Sequence, residues 1–101
     1  MMHYIVFARD ADGAGELRSA HRQEHVEYWN QQGNVVLVAG AMMSGDDNDA
    51  VPVGSSFLLS ASSEDAVKRL IADDPFTVCG VFGAAPQIQR VRPAIGELWP
   101  R

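Results

Sequence analysis

The sequence predicts a single α+β domain in which the elements follow one another as strand, helix, strand, strand, helix, strand. Short segments rich in β-branched and aromatic residues alternate with two longer segments whose apolar residues recur at helical spacing. Glycine, proline and acidic residues lie at most of the boundaries between these segments. With 101 residues the chain is long enough for one hydrophobic core, so we expect one domain over residues 1–101.

The first half of the chain predicts two strands and one helix. Residues 3–8 form an apolar, aromatic-rich run that is typical of a strand. Residues 15–32 predict a helix that Gly33 follows as a stop signal, because one set of residues recurs at helical spacing: Leu17, Ala20, His21, Glu24, His25, Tyr28 and Trp29. Residues 34–43 contain the continuous run Val-Val-Leu-Val-Ala. Such a run favours a central strand that is covered on at least one face.

The second half predicts two more strands and a second helix. Residues 55–60 favour a third strand, which follows a polar, acidic loop. Ser62 and Asp65 have the spacing of a capping box, so we expect the second helix to begin there. Pro75 must end that helix, because proline disfavours the α conformation in the residue before it. Residues 86–91 alternate between apolar and polar side chains and predict the fourth strand.

This order of elements predicts a ferredoxin-like βαββαβ fold. Two right-handed crossovers place both helices on one face of a four-stranded antiparallel sheet. Nothing in the sequence covers the opposite face, and an apolar open face needs a partner. A second copy of the chain is the simplest partner, so we expect a homodimer of the dimeric α+β barrel type.

Composition excludes several classes of function. The chain is 47% hydrophobic and 21% charged, as in ordinary globular proteins. Its formal net charge of -5 disfavours nucleic acid and anionic membrane surfaces as partners. No window approaches the roughly 20 apolar residues that span a bilayer, so we expect no membrane partner. Cys79 is the single cysteine, which favours a reducing compartment, and the cytoplasm is the expected location.

The first helix carries a pattern that resembles a zinc site. His21, Glu24 and His25 spell H-x-x-E-H, which some zinc peptidases use. A catalytic zinc needs a third protein ligand from a supporting scaffold, and those peptidases are far larger than this chain. We therefore expect no metal. No glycine-rich phosphate loop follows a strand, so we expect no nucleotide and no other cofactor.

A histidine on the same helix is the best candidate for proton transfer. Arg22 lies one turn before His25, and a histidine transfers protons near neutral pH when another group orients its ring. That group would be a carboxylate. The candidate carboxylates are Asp46, Asp47, Asp49, Asp73 and Asp74. Asp74 stands out because Pro75 fixes its backbone, but local sequence slightly favours a different role, the N-cap of a short helix over residues 75–82, and one residue can do both.

Taken together, these residues resemble the YCII-like family over nearly the whole chain. The resemblance is carried by Tyr4-Ile5-Val6-Phe7, Arg22-x-x-His25, Gly33, Val38-Ala39-Gly40, Gly54, Ser62-Ser63-Glu64-Asp65-Ala66, Asp73-Asp74-Pro75-Phe76 and Gly80. It implies a ferredoxin-like fold, a dimer built from two sheets, and a pocket centred on a histidine and an aspartate. Carried over by motif, these two catalytic residues are His25 and Asp74, with Arg22 and Gly40 as pocket supports.

The chain departs from the family pattern after the second strand. The family usually has proline after the glycine of that strand, whereas here Gly40 is followed by Ala41-Met42-Met43. We expect Met42 to belong to a flexible apolar part of the substrate pocket. His21 is also outside the family pattern. Both departures bear on the substrate more than on the fold.

Three functions fit these observations. One is a cofactor-independent, lyase-like or hydrolase-like enzyme, in which His25 is the general acid or base, Asp74 holds its tautomer and Arg22 binds an anionic group of a small aromatic or carboxylate-bearing metabolite. The resemblance extends to enzymes that remove chloride from chlorinated hydroquinones. Another is a non-catalytic ligand-binding or accessory dimer. The most distant is a dimeric α+β barrel monooxygenase or isomerase. Contact between His25 and Asp74 in a pocket would favour the enzyme.

Overall fold

The structure is a computed structural model that describes residues 1–99. The strands are β1 (Met2–Arg9), β2 (Val36–Met43), β3 (Pro52–Ala61) and β4 (Gln87–Val91), and the helices are α1 (Gly15–Asn30), α2 (Glu64–Ala72) and α3 (Pro75–Val78). The order confirms the predicted α+β fold, with α3 as a short additional helix after α2. A 3₁₀ turn joins α1 to β2. No helix of residues 1–99 is long and apolar enough to cross a membrane.

The strands form one antiparallel sheet in the order β2-β3-β1-β4. Strands β1 and β3 pair over the full length of β1, from Met2 opposite Ala61 to Arg9 opposite Gly54. The second strand was expected in the centre of the sheet, and that expectation is wrong, because β2 is an edge strand and most of its residues are exposed. Residues 1–99 therefore leave most of the unbroken apolar run of this strand uncovered.

Alternation along β1 separates the two faces of the sheet. Tyr4, Val6 and Ala8 are buried beneath the helices, whereas Ile5 and Phe7 point to the open face, where Phe7 is 43% exposed. Because side chains alternate along a strand, one face builds the core and the other remains available. The core is completed by Trp29, Phe57, Leu59, Ala61, Val67 and Ile71.

The boundary between α2 and α3 fixes the position of one buried carboxylate. Helix α2 begins one residue later than expected, since the Oγ of Ser63, rather than that of Ser62, accepts a hydrogen bond from the backbone N–H of Ala66 at 3.1 Å. The helix ends at Ala72, as the following proline requires. Asp74 is then the N-cap of α3, with Pro75 at its first position.

A glycine marks the close approach of β3 to its two neighbours. A Cβ on Gly54 would lie 2.7 Å from the carbonyl oxygen of Ala8 in β1 and against the terminal methyl of Met42 in β2. The methyl belongs to a flexible side chain and can move, but the carbonyl belongs to a paired strand. Only a residue without a side chain fits this position.

We expect Gly54→Ala to lower the free energy of unfolding by about 1–3 kcal/mol, because overpacking a paired strand forces the backbone apart. Gly40→Ala is the matched control, since a Cβ there meets nothing within 4 Å. Denaturant unfolding of both variants measures the difference. Equal losses of stability in the two variants would contradict the close approach.

Candidate functional site

One face of α1 lines a cleft with charged and aromatic side chains. Arg18, Arg22, His25 and Trp29 are spaced three or four residues apart, so their side chains share this face. The cleft has a volume of about 340 Å³ and lies between this face and residues of β2 and β3. Its other lining residues are Val26, Asn30, Gly33, Val36, Ala39, Gly40, Ala41 and Ser55.

His25 and Asp74 meet at this cleft although 49 positions separate them in the chain. The imidazole Nδ1 lies 2.8 Å from Oδ1 and 2.9 Å from Oδ2 of the Asp74 carboxylate. A carboxylate accepts hydrogen bonds, so Nδ1 carries the proton and donates it. The neutral ring then has its lone pair on Nε2, to which no protein group of residues 1–99 is hydrogen-bonded. This nitrogen is therefore available to a ligand.

The Asp74 carboxylate is fully buried and accepts hydrogen bonds from two further donors. The indole Nε1–H of Trp29 donates to Oδ2 at 2.7 Å, and the backbone N–H of Phe76 donates to Oδ1 at 2.9 Å. The sequence left capping and contact with a histidine as alternatives for Asp74, and the carboxylate does both. Its orientation is fixed from three sides, which in turn fixes the orientation of the imidazole.

Aromatic side chains hold the imidazole from its faces and edges. The ring of Phe76 stacks on that of His25, with centroids 3.9 Å apart and planes within 8°. Phe57 and Phe82 approach the imidazole at 6.3 and 6.4 Å in edge arrangements. The His25 side chain is only 13% exposed. The ring therefore has little freedom to rotate away from Asp74.

Arg18 is a site residue that the sequence analysis missed. Its Nε and Nη2 donate to the two carboxylate oxygens of Asp10 at 2.8 and 3.1 Å, and Nη2 also donates to Ser55 Oγ at 2.8 Å. Its Cζ lies 4.7 Å from the ring centroid of Phe76. A charged residue near a helix start is usually solvated. The signal that could have found it is its spacing, one turn before Arg22 and two turns before His25.

Three residues were proposed to bind substrate, and two of them line the cleft. Arg22 is exposed at the cleft, and it forms no ion pair with residues 1–99. Gly40 also lines the cleft. Met42 does not, because its terminal methyl packs over Gly54 on the opposite side of that part of β2. Its role in substrate binding stays a prediction.

The remaining candidate carboxylates do not reach the imidazole. Asp46, Asp47 and Asp49 lie in the exposed loop between β2 and β3, where Asp47 accepts a hydrogen bond from the backbone N–H of Asp49. Asp73 lies beside Asp74 but makes no side-chain hydrogen bond within residues 1–99. Asp74 is thus the one of the five whose carboxylate contacts His25 in the described part of the chain.

The zinc-like pattern does not assemble a metal site in the described residues. His21 and Glu24 form an exposed pair at 3.3 Å, whereas His25 faces Asp74. Within residues 1–99, no three His, Cys, Asp or Glu side chains converge closely enough to hold a metal ion.

Tyr28 lies near the same carboxylates but contributes to structure. Its hydroxyl donates to the backbone carbonyl of Leu70 at 2.6 Å. Burial raises the pKa of Tyr28 to about 12, and the negative charges of Asp73 and Asp74 add to this effect. The phenol therefore stays protonated near neutral pH, where it ties α1 to α2.

The fold and the cleft together define a small ferredoxin-like α+β protein in which a helix-borne histidine is hydrogen-bonded to a buried aspartate. A family model described as the YCII-related domain matches residues 2–89, and the chain belongs to this family. A search of curated proteins found no match.

Two solved structures extend the likeness. The chain is similar to 5-chloro-2-hydroxyhydroquinone dehydrochlorinase (TftG) from Burkholderia phenoliruptrix AC1100, in complex with 2,5-dihydroxybenzoquinone, with 24% identity and a TM-score of 0.78 over 98% of this chain and 100% of that one. It is also similar to protein Atu4242 from Agrobacterium tumefaciens, with 18% identity and a TM-score of 0.52 over 93% and 94% of the two chains. At these identities the likeness establishes the fold.

We expect Asp74→Asn to lower the free energy of unfolding by about 1–3 kcal/mol, because its amide NH₂ must face a buried N–H of either Trp29 or Phe76. Trp29→Phe removes one of these donors. The double variant should therefore lose less stability than the sum of the two single variants, as a double-mutant cycle by denaturant unfolding would measure. Strictly additive losses would show that the indole does not depend on this carboxylate.

Proposed function

We propose that this protein is a cofactor-independent enzyme that uses His25 and Asp74 for acid–base chemistry on a small metabolite, in a lyase-like, dehydrochlorinase-like reaction. One observation carries the proposal: Nδ1 of His25 is hydrogen-bonded to a buried carboxylate, while Nε2 has no partner within residues 1–99 and His25 lines a cleft. This is the arrangement in which a carboxylate fixes the tautomer of a histidine that exchanges protons through its other nitrogen.

A purely structural role for Asp74 explains less of the geometry. An N-cap needs one hydrogen bond from a backbone N–H, which Phe76 provides. The carboxylate is nevertheless buried completely, and two side chains of α1 donate to it. Burying a carboxylate costs free energy unless several donors compensate for lost water. An imidazole held in this way and open to a cleft supports a chemical role.

Removal of chloride from a chlorinated hydroquinone suits such a site because the chemistry is proton transfer. One phenolic O–H gives up its proton, and the carbon that bears chlorine gains one. A second O–H then loses its proton while the carbon–chlorine bond breaks, and chloride leaves with the bonding pair. The products are a quinone, one proton and one chloride. The departing chloride carries away the electron pair that the ring loses, so the balance needs no external oxidant.

In this reaction we assign the proton transfers to Nε2 of His25. The His25 imidazole takes a proton from a phenolic hydroxyl of the substrate, and the resulting imidazolium gives that proton to the carbon that bears chlorine. The Asp74 carboxylate stabilises the imidazolium and keeps Nδ1 protonated throughout. Arg22, an exposed cation without an ion-pair partner in residues 1–99, would bind an anionic oxygen of the substrate. Gly40 would contribute to the wall of the cleft beside the substrate, since it is among the lining residues.

We expect His25→Asn to lower kcat for chloride release from a chlorinated hydroquinone by about 100- to 10,000-fold. The asparagine amide can still donate to Asp74, but it has no group that replaces Nε2. His21→Asn is the matched control on the same helix and should keep wild-type activity. Chloride release and quinone absorbance measure the reaction. A wild-type protein that binds the quinone but never turns over the hydroquinone would favour the ligand-binding alternative instead.

We also propose that the enzyme is a homodimer that forms through the open face of the sheet. That face presents Ile5, Phe7, Val38 and Leu58 around a shallow apolar depression, and the outer edge of β2 pairs with no strand of residues 1–99. Apolar surface of this kind gains free energy by leaving water. The single cysteine, Cys79, is a free thiol, which fits the cytoplasm that we propose as its location.

We expect the wild-type protein to sediment as a dimer at micromolar concentration, with an interface that buries on the order of 2,000 Å² in total. Phe7→Arg should convert it to a monomer, because an arginine in this face would be buried without a partner. Val78→Arg is the control, since Val78 is also an exposed apolar residue but lies on α3. A monomeric wild type would contradict the proposal.

A further inference from the structure

The guanidinium of Arg18 has one nitrogen that its protein partners leave free. Nε and Nη2 bind the carboxylate of Asp10, and the second hydrogen of Nη2 goes to Ser55. Nη1 has no acceptor among residues 1–99. No buried side-chain nitrogen or oxygen of the described residues lacks a partner, so Nη1 is not sealed in the interior. Arg18 lines the cleft that contains His25, and we infer that this cleft is the space onto which Nη1 opens.

Arg18 is held in place more firmly than a residue with only a surface role requires. Its side chain is 10% exposed, and the face of Phe76 lies 4.7 Å from its Cζ. Its charge is balanced by Asp10, whose side chain is 8% exposed. The pair therefore brings oriented N–H donors to the cleft without adding net charge to it.

The cleft offers hydrogen-bond donors for a negatively charged group. The chain contains 13 Asp and Glu residues, and none of them is among the lining residues. The Asp74 carboxylate behind the lining already accepts from three donors. Arg22 adds a positive charge at the same face of α1. An anion that enters the cleft thus meets donors and a cation but no unpaired carboxylate.

The geometry of Arg18 also distinguishes between two kinds of anion. A carboxylate binds arginine most strongly through two parallel N–H bonds, and either available edge of the guanidinium includes Nη2. Both hydrogens of Nη2 are already donated to Asp10 and Ser55. Arg18 can therefore bind one oxygen through Nη1 but cannot form the two-bond fork. A phenolate or enolate, which presents its charge on a single oxygen, fits this donor better than a carboxylate.

We propose that Arg18 is a ligand-binding residue of this cleft and that it selects phenolate-type anions over carboxylates through Nη1. The inference rests on the proposed function, because the oxygen that Arg18 binds belongs to the molecule that exchanges a proton with His25. It narrows the substrate class to hydroxylated aromatic or enolic compounds. It also gives Arg18 a role separate from that of Arg22, which contributes net charge at the exposed side of the cleft.

The test compares two rigid anions, 4-nitrophenolate and benzoate, at a mildly alkaline pH at which both are ionised. Calorimetry on the intact protein should show that the wild type binds 4-nitrophenolate more tightly than benzoate. Arg18→Met should weaken that binding about tenfold or more, which corresponds to the loss of a charge-assisted hydrogen bond, and should change benzoate binding less than threefold. Lys68→Met removes a cation from α2, away from the cleft, and should change neither affinity.

Arg18→Lys separates recognition from stability. A lysine can keep the ion pair with Asp10 but cannot place a second donor at Nη1. It should recover the melting temperature lost in Arg18→Met without recovering 4-nitrophenolate affinity. The inference is overturned if the wild type fails to bind 4-nitrophenolate or prefers benzoate, or if Arg18→Lys binds the phenolate as tightly as the wild type. Such a failure leaves the acid–base proposal intact, because that proposal depends on the activity of His25→Asn.

Discussion

The site depends on one buried carboxylate. Asp74 accepts hydrogen bonds from the imidazole of His25, the indole of Trp29 and the backbone N–H of Phe76, and none of its surface is exposed. These three donors join two turns of α1 to the start of α3. A buried carboxylate without them would be strongly unfavourable, so the local fold and the orientation of the imidazole depend on each other.

This dependence explains why a short helix follows α2. Pro75 stops α2 and begins α3, which leaves Asp74 at the N-cap with its carboxylate turned inward. Phe76, the next residue, brings its ring against His25 at 3.9 Å. Three consecutive residues therefore end one helix, provide the carboxylate and supply the aromatic wall of the site.

The sequence predicted the elements well because their signals are local. The helical spacing in α1 and the proline after α2 are signals that depend on neighbouring residues, and the helix and the end of α2 that they predict were confirmed. The edge position of β2 was not predicted, because an unbroken apolar run cannot tell burial within a chain from burial against a partner. The N-cap of α2 was misplaced by one residue because Ser62 and Ser63 carry the same capping chemistry.

Part of the candidate site could be predicted from the sequence for the same reason. His25 and Asp74 were proposed from the family motif and from the restriction that Pro75 places on the backbone of Asp74. In the structure, Nδ1 of His25 lies 2.8 Å from Oδ1 of Asp74. Arg18 was missed because its partners, Asp10 and Ser55, are 8 and 37 positions away and become neighbours only when the sheet forms. Trp29 was assigned to the core, where it lies, but its hydrogen bond to Asp74 depends on packing between helices.

The central claim is that Asp74 holds His25 with Nδ1 protonated and Nε2 open to the cleft. Nitrogen-15 NMR of the imidazole in the wild-type protein, at a pH where the ring is neutral, tests this most directly. We expect the Nδ1–H tautomer for His25, with a pyridine-like Nε2 whose chemical shift changes when a phenolic ligand binds. A ring protonated at Nε2, or an Nε2 signal that no ligand perturbs, would contradict it.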